Sequence, residues 1–281
     1  MQKAPVIGVI GQGWVGKQYA DHFEDRGFRV VRYGKEPAYA GNAAAISECD
    51  FVFIAVPTPT TSKEFDARIV KEVLSFVGEG KTAVLKSTIL PGTTRALQKQ
   101  FPRLTLLCNP EFLREKTARY DVDAPERTII GIVDEKDRPV AEALSSLMPK
   151  APYESICTAE EAELTKYAGN TFLYLKVVYA NLFHDLAEKL GADPEAVMRN
   201  VAADSRIGPS HLGSLSPDGK RRRGAGGNCL IKDFAALASF FERTMNDEDG
   251  AAVLRALEKR NIRLLRESGK DTDILKGVYG E

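Results

Sequence analysis

Short apolar runs alternate with amphipathic stretches through the first half of the chain. Six runs predict strands: VIGVI (6–10), RVVRY (29–33), FVFIAV (51–56), TAVLK (82–86), LTLLC (104–108) and RTIIGI (127–132). Their Val, Ile, Leu and Phe fall on both parities, the pattern of strands covered on both faces. Between several of them the period becomes helical, as in GKQYADHFEDRG (16–27) and DARIVKEVLSFVG (66–78). This alternation predicts an α/β fold with a doubly wound parallel sheet.

The second half is helical throughout. Thr158 followed by Glu161 is a capping-box signature, in which each residue satisfies a backbone N–H of the other. From there the pattern predicts one long helix to about residue 190, about 32 residues and roughly 48 Å at 1.5 Å per residue. Gly191 suits a helix stop, and Asp193-Pro194 suits an N-cap with proline at the first helical position. A loop is expected over 204–228, a helix from about Leu230, and a last clear helix in GAAVLRALEKRNIRLLRESG (250–269). The expected division is a Rossmann-type domain over 1–155 and an all-helical domain over 156–281 with one long central helix. The stretch FLYLKVVYANLF (172–183) is apolar around much of its circumference, which predicts a homodimer built on this helix.

The first predicted turn carries GQGWVG (11–16), a G-x-G-x-x-G spacing after a strand and before a helix. Gly11 permits the tight turn, Gly13 lets backbone approach a pyrophosphate, and Gly16 lets helix and strand pack closely. The helix N-terminus then faces the phosphates, with Trp14 and Val15 beside them. The second strand should end in Asp or Glu for the ribose 2′-hydroxyl of NAD. Here Gly34 stands at that place, with Arg32 and Lys35 nearby and Glu36 two residues late. Basic residues there suit a 2′-phosphate, so NAD is the expected cofactor with NADP left open.

Composition narrows the partners. Lys+Arg and Asp+Glu both number 39, so no global field draws in nucleic acid or a membrane surface. The exception is local, Lys220-Arg221-Arg222-Arg223. No apolar run is long enough to span a bilayer, and the N-terminus runs straight into a strand, which is not the pattern of a signal peptide. The four cysteines Cys49, Cys108, Cys157 and Cys229 are widely spaced and form no metal-type pair, so no metal is expected and reduced, cytoplasmic thiols are. Cys229 differs from the others. It follows a glycine-rich turn in GAGGNCLIKD (224–233), with Lys232 and Asp233 about one helical turn behind it.

Seven separated stretches occur in an order that resembles the UDP-glucose/GDP-mannose dehydrogenases, which oxidise a nucleotide-sugar alcohol to a uronic acid. They are GQGWVG, VPTPT (56–60), KSTILPGTT (86–94), NPEFLRE (109–115), AELTKYAGN (162–170), DSRIG (204–208) and GGNCLIKD (226–233). The resemblance implies roles position by position. Cys229 falls on the catalytic thiol, Lys166 and Asn170 on the pair that holds the reacting oxygen, and Asp233 on a carboxylate that positions water or acts as base. Thr88 and Glu115 fall on a water-binding pair, with Glu115 implicated in thioester hydrolysis. Pro57, Thr58, Thr88, Glu115 and Lys232 fall on the cofactor side. Glu111, Phe112, Leu113 and Arg114 contact sugar, as do Gly226 and Gly227, and Arg206 reaches substrate across a dimer interface. The implied substrate is a nucleotide sugar or sugar phosphate.

The chemistry accounts for these residue types. After a first hydride leaves the alcohol, a second can leave only once a nucleophile has added to the aldehyde, and a thiolate gives a thioester that water can hydrolyse. A cysteine near a helix start, beside a lysine, is favoured as thiolate. Lys166 and Asn170 are four apart, so a helix presents both to one oxygen. Each residue taken alone has an ordinary reading: Cys229 as a small packed hydrophobe, Lys166 as a solvated charge, Asn170 as a packing hydrogen bond. A two-electron 3-hydroxyacid-type dehydrogenase, which shares the layout but needs neither Cys229 nor Glu115, and a non-catalytic dinucleotide-binding remnant stay open. Three departures from the family stand out. The chain ends at DILKGVYGE, roughly where a further α/β domain's first strand is expected. Arg223 and Ala225 stand where aromatics are common, and arginines there suit phosphate. Ile231 replaces a proline.

Overall fold

The computed structural model of the chain describes residues 4–61, 65–213 and 222–280. Lys220 and Arg221, the first half of the basic run, lie outside the described residues. Seven strands form one sheet: β1 Ile7–Ile10, β2 Val30–Tyr33, β3 Phe51–Ile54, β4 Thr82–Leu85, β5 Thr105–Cys108, β6 Arg127–Ile132 and β7 Tyr153–Thr158. Six helices accompany them: α1 Trp14–Asp25, α2 Ala43–Ile46, α3 Arg68–Leu74, α4 Thr93–Gln100, α5 Ala118–Asp123 and α6 Arg138–Leu147. The strand order is β2-β1-β3-β4-β5-β6-β7. All neighbours pair in parallel except β5 and β6, where Leu107 faces Ile132 and Cys108 faces Gly131 in antiparallel register. The expected doubly wound parallel sheet is thus present, with one antiparallel pair. A strand's residue pattern carries burial but not direction, so the reversal at β6 left no mark in the sequence.

The helical half comprises α7 Ala159–Lys189, α8 Pro194–Ala202, α9 Asn228–Thr244, α10 Glu248–Glu267 and α11 Thr272–Tyr279. The capping box forms: Thr158 N donates to Glu161 Oε2 at 2.8 Å, and Glu161 N donates to Thr158 Oγ1 at 3.3 Å. Gly191 takes φ +72° after the end of α7. Asp193 caps α8 by accepting from Glu195 N at 2.9 Å, with Pro194 inside the first turn.

The chain falls into two compact units, Met1–Pro59 with Asp66–Lys166, and Thr60–Phe65 with Tyr167–Glu281. The division at Lys166 is later than the expected one near 155. The first turns of α7 belong with the sheet because Ala159 and Ala162 pack with Cys108 and Ile129. Gly131 makes this possible: a Cβ there would lie 2.7 Å from Ala162 Cβ and 2.8 Å from Ala159 Cα.

In the first unit the main core joins Ile7, Val9, Phe53, Val84, Leu107 and Ile130 from the sheet with Tyr19, Ala20 and Phe23 from α1 and Leu144 from α6. In the second unit Tyr174 and Phe234 stack at 3.9 Å between centroids, with Val178, Ala225 and Ala238 around them. A further cluster of Ile231, Ala235, Leu265, Leu275 and Val278 fixes α11 against α9 and α10. The segment DILKGVY, expected near the start of a strand, is thus helical. Among the described residues, no helix is long and apolar enough to cross a membrane.

Candidate active site

The glycine loop of the first unit has the geometry the sequence requires. Gly11 has φ +91°, and a Cβ there would lie 2.3 Å from Ala55 O. A Cβ on Gly16 would lie 1.9 Å from Gly11 O, so helix and strand exclude any side chain. Gly13 is different: nothing stands within 4 Å of its Cβ position. The bare face at Gly13 is directed at open space, which is what close approach of a pyrophosphate to backbone needs. The loop therefore fits a dinucleotide. Trp14 is 42% exposed at the start of α1, whereas Val15 packs its side chain on the core and offers only its backbone.

The ends of β3 and β4 are tied together beside this loop. Thr58 Oγ1 donates to Thr88 O at 2.8 Å, and Ser87 Oγ accepts from Val56 N at 3.0 Å. Thr58 is buried, Pro57 is exposed and Thr88 is half-buried. Behind them lies a group that sequence reasoning did not assign. Lys86 is 2% exposed and donates to Tyr19 Oη and Asn109 Oδ1, both at 2.9 Å. Burial pushes its pKa down to about 7. Both Lys86 and Asn109 stand in quoted motifs, KSTILPGTT and NPEFLRE, so the signal was present.

The PEFLRE segment follows β5. Lys166 Nζ donates to Glu111 O at 2.7 Å and pairs with Glu111 Oε1 at 3.1 Å, both residues being buried. Glu111 Oε2 accepts from Leu113 N at 2.7 Å, so one carboxylate shapes the turn and holds the lysine. Phe112 lies under the Arg127 guanidinium at 4.0 Å, and Leu113 packs on the main core. Arg114 spends its guanidinium on Asp121 at 2.5 Å and on Glu126 at 3.5 Å. Glu115 is exposed at the start of the next turn, with no hydrogen bond or ion pair among the described residues. Glu163 accepts from Gly92 N at 2.6 Å and Thr94 N at 2.7 Å, fixing the start of α4; burial raises its pKa.

The second unit holds the other candidates. Asp233, 1% exposed, accepts from Asn170 Nδ2 at 2.6 Å and from Lys232 Nζ at 2.5 Å. Cys229 is exposed in the first turn of α9, behind Gly227 at φ +84°. The other thiols are held protonated by burial: Cys49 is pushed up to about 11, and Cys108 and Cys157 are raised as well.

The loop before Cys229 is pinned from α10 and the turn after it. Asn261 accepts from Ala225 N at 2.7 Å and donates to Ala225 O at 2.9 Å. Lys270 donates to Gly224 O at 2.9 Å, and Asp271 accepts from Gly227 N at 2.7 Å. A Cβ on Gly226 would lie 2.1 Å from Asp271 Oδ2. These partners lie 36 to 46 positions away in sequence and carried no local signal. Arg223, a candidate for phosphate, donates instead to Asn181 Oδ1 at 2.7 Å and pairs with Asp185 at 2.6 Å. Arg206 is 88% exposed and chelated by its neighbour Asp204 at 2.6 Å. Among the described residues, no three His, Cys, Asp or Glu side chains are grouped to hold a metal ion.

Residues 38–148 match the NAD binding domain of the UDP-glucose/GDP-mannose dehydrogenase family, and residues 160–263 match its central domain. A solved UDP-glucose dehydrogenase from Pyrobaculum islandicum superposes with a TM-score of 0.79 at 30% identity, covering 94% of this chain and 69% of its own. The chain belongs to the UDP-glucose/GDP-mannose dehydrogenase family. A UDP-glucose 6-dehydrogenase from Rhizobium meliloti is 34% identical over an alignment of 292 positions that covers 86% of this chain. The chain spans 64% of that relative's length and 55% of another curated relative's. The 3-hydroxyisobutyrate dehydrogenase of Mycobacterium tuberculosis shares the fold at 16% identity and a TM-score of 0.71, covering 97% of this chain and 98% of its own. In this family the first domain is the NAD-binding one, and NAD is the cofactor it indicates.

Proposed function

We propose that the chain oxidises the primary alcohol of a nucleotide sugar of the UDP-glucose kind to the uronic acid, through a thioester on Cys229. One alcohol and one water give one carboxylate, with two hydrides removed. When bound, the nicotinamide accepts those hydrides and supplies the oxidising power. In the first oxidation Asp233 takes the hydroxyl proton by way of water, while Lys166 and Asn170 stabilise the oxygen as negative charge builds on it. Cys229 then adds to the aldehyde, making a carbon that can lose a second hydride and leave a thioester. Glu115 draws a proton from the water that hydrolyses it, and the thiolate of Cys229 departs. The observation that carries the reading is Cys229 itself. It is the exposed thiol of four, placed in the first turn of a 17-residue helix whose N-terminal dipole favours a thiolate.

Glu111, Phe112, Leu113 and Arg114 with Gly226 and Gly227 would contact the sugar, and Pro57, Thr58, Thr88 and Lys232 would lie toward the cofactor. A homodimer on α7 belongs to the same proposal, with Arg206 serving the partner's substrate. Its support is the exposed row Phe172, Tyr179, Leu182, Leu186 and Leu190, spaced to share one helix face. A cytoplasmic setting is part of it too, motivated by four cysteines with no disulfide between them among the described residues.

The test is NAD reduction, followed by absorbance, with UDP-glucose, GDP-mannose and 3-hydroxyisobutyrate as separate substrates. Reduction with a nucleotide sugar is expected. Reduction with the 3-hydroxy acid alone would replace the proposal by the simpler two-electron reading, and no reduction with any nucleotide sugar would refute it.

A further inference from the structure

The helix α9 that carries Cys229 starts without help from its own sequence. Its N-cap is Gly227, which has no side chain, and its third residue is Leu230, which has no polar side-chain atom to reach back. Neither half of a capping box is therefore available within the segment. No acidic residue stands in the first turn. Cys229 is the second residue of that turn, so whatever holds the helix start also holds the thiol.

The missing carboxylate comes from 44 positions away. Asp271 accepts from Gly227 N at 2.7 Å, the bond that a glutamate at the third helical position makes in a capping box. Asp271 leaves a nearer task undone. It stands at the N-cap of α11, where aspartate is among the preferred residues, yet its side chain caps nothing there. Its backbone lies in the left-handed region at φ +53°, which is unfavourable for a residue with a Cβ. That conformation and the uncapped α11 both accompany the bond to α9.

The residues just before Asp271 bind the same loop. Lys270 Nζ donates to Gly224 O at 2.9 Å, and Ser268 Oγ donates to Arg223 O at 3.2 Å. Asn261, 1% exposed, takes both backbone groups of Ala225. The backbone from Arg223 to Gly227 is thus held by side chains of one stretch, 261–271. A Cβ at Gly226 would lie 2.6 Å from Lys270 Cε, so the loop carries a glycine where that stretch closes on it.

We propose that Asn261, Lys270 and Asp271 form a cradle that sets the position of the Cys229 thiol, with Asp271 the positioning residue that caps α9 from outside. The proposal rests on the thioester reading. In that reading the first oxidation needs no thiol, whereas the second needs Cys229 Sγ aimed at the aldehyde carbon. A displacement of about 1 Å can cost on the order of a hundredfold in rate. Loss of the cradle therefore falls on the second oxidation.

Two substitutions separate the cap from the backbone. Asp271→Gly keeps the left-handed conformation and removes the carboxylate, whereas Asp271→Asn tolerates that conformation and keeps an acceptor oxygen. Lys270→Met is a second removal. NAD reduction is followed by rapid mixing with UDP-glucose or GDP-mannose, whichever the wild type oxidises, and free aldehyde is trapped with hydroxylamine. In Asp271→Gly the first hydride transfer should stay within about threefold of wild type, while the second slows about ten- to hundredfold and aldehyde accumulates. Lys270→Met should act in the same direction. Amide exchange at Gly227 should quicken at least about tenfold in Asp271→Gly, with a fall in Tm of no more than about 4 °C, as for a lost cap. Asp271→Asn should hold both oxidations within about threefold of wild type. A merely structural role would slow the two oxidations together. Equal slowing of both steps, an equal loss in Asp271→Asn, or an unaltered second step in both removal variants would overturn the proposal alone. A wild type that removes fewer than two hydrides per sugar would remove the thioester reading and this proposal with it.

Discussion

Replacing Glu111 by Gln removes the charge that faces Lys166 and one of the two acceptor oxygens that hold Lys166 and Leu113 N. The pair is well hidden, with side-chain exposures of 8% for Glu111 and 6% for Lys166. Breaking a buried pair by removing one partner leaves the other charge uncompensated and costs about 3–5 kcal/mol. Glutamine has one acceptor oxygen where the carboxylate uses two, so it keeps either Lys166 Nζ or Leu113 N; Lys166 still keeps Glu111 O at 2.7 Å, and about 3–4 kcal/mol is expected. At roughly 2–4 °C per kcal/mol for a chain of this size, Tm should fall by on the order of 10 °C. Lys166→Met should cost a similar amount, because the Glu111 carboxylate then keeps only Leu113 N. The double variant should lose less than the sum of the two by about 2 kcal/mol. Urea unfolding followed by circular dichroism gives these values from midpoints at constant slope. Arg103→Ala is the control, since the Arg103–Glu79 pair is exposed at 73% and 71% and should contribute about 0.5 kcal/mol or less. Single losses below about 1 kcal/mol that simply add would refute a buried, coupled pair.

The glycine loop should separate fold from function: Gly13→Val should leave Tm nearly unchanged and weaken NAD binding, whereas Gly11→Ala, at φ +91° and 2.3 Å from Ala55 O, should destabilise the fold itself by thermal unfolding. Lys86 should give a signature in pH. Its pKa is about 7 folded and about 10.4 unfolded, so the unfolded state binds the extra proton between those values. Its burial penalty is full below about pH 7 and falls as pH rises toward 10, at up to about 1.4 kcal/mol per pH unit. Lys86→Met should remove that slope, as equilibrium unfolding across pH 7–10 would reveal. Leu182→Asp with Leu186→Asp, on the exposed face of α7, should convert a dimer to a monomer in light scattering without loss of helix.

Much of the sheet was legible because strands buried on both faces spell unbroken apolar runs, as Ile7–Ile10 and Thr82–Leu85 do. The strand Tyr153–Thr158 was not read, because it sits at the sheet edge with exposed and half-buried residues and no clear period. Helix starts were legible wherever two nearby residues suffice, as for Thr158 with Glu161. The short last helix was missed, since its four apolar anchors mean little until α9 and α10 are beside them. Individual site residues stood in motifs, but which of them pair could not be read. Nothing local links Glu111 to Lys166, 55 positions on, or Ala225 to Asn261, 36 on. Arg223 shows the converse: an arginine whose place in the sequence suits phosphate instead pairs with Asn181 and Asp185.

The central claim is that Cys229 carries the second oxidation, and the stoichiometry of reduced NAD per sugar consumed tests it most directly. The protein should form two reduced NAD and one uronic acid for each nucleotide sugar. Cys229→Ala should form at most one reduced NAD per sugar and leave the aldehyde, while Lys166→Ala should slow both steps by on the order of a hundredfold. Two reduced NAD and full acid formation from Cys229→Ala would contradict a covalent role for the thiol.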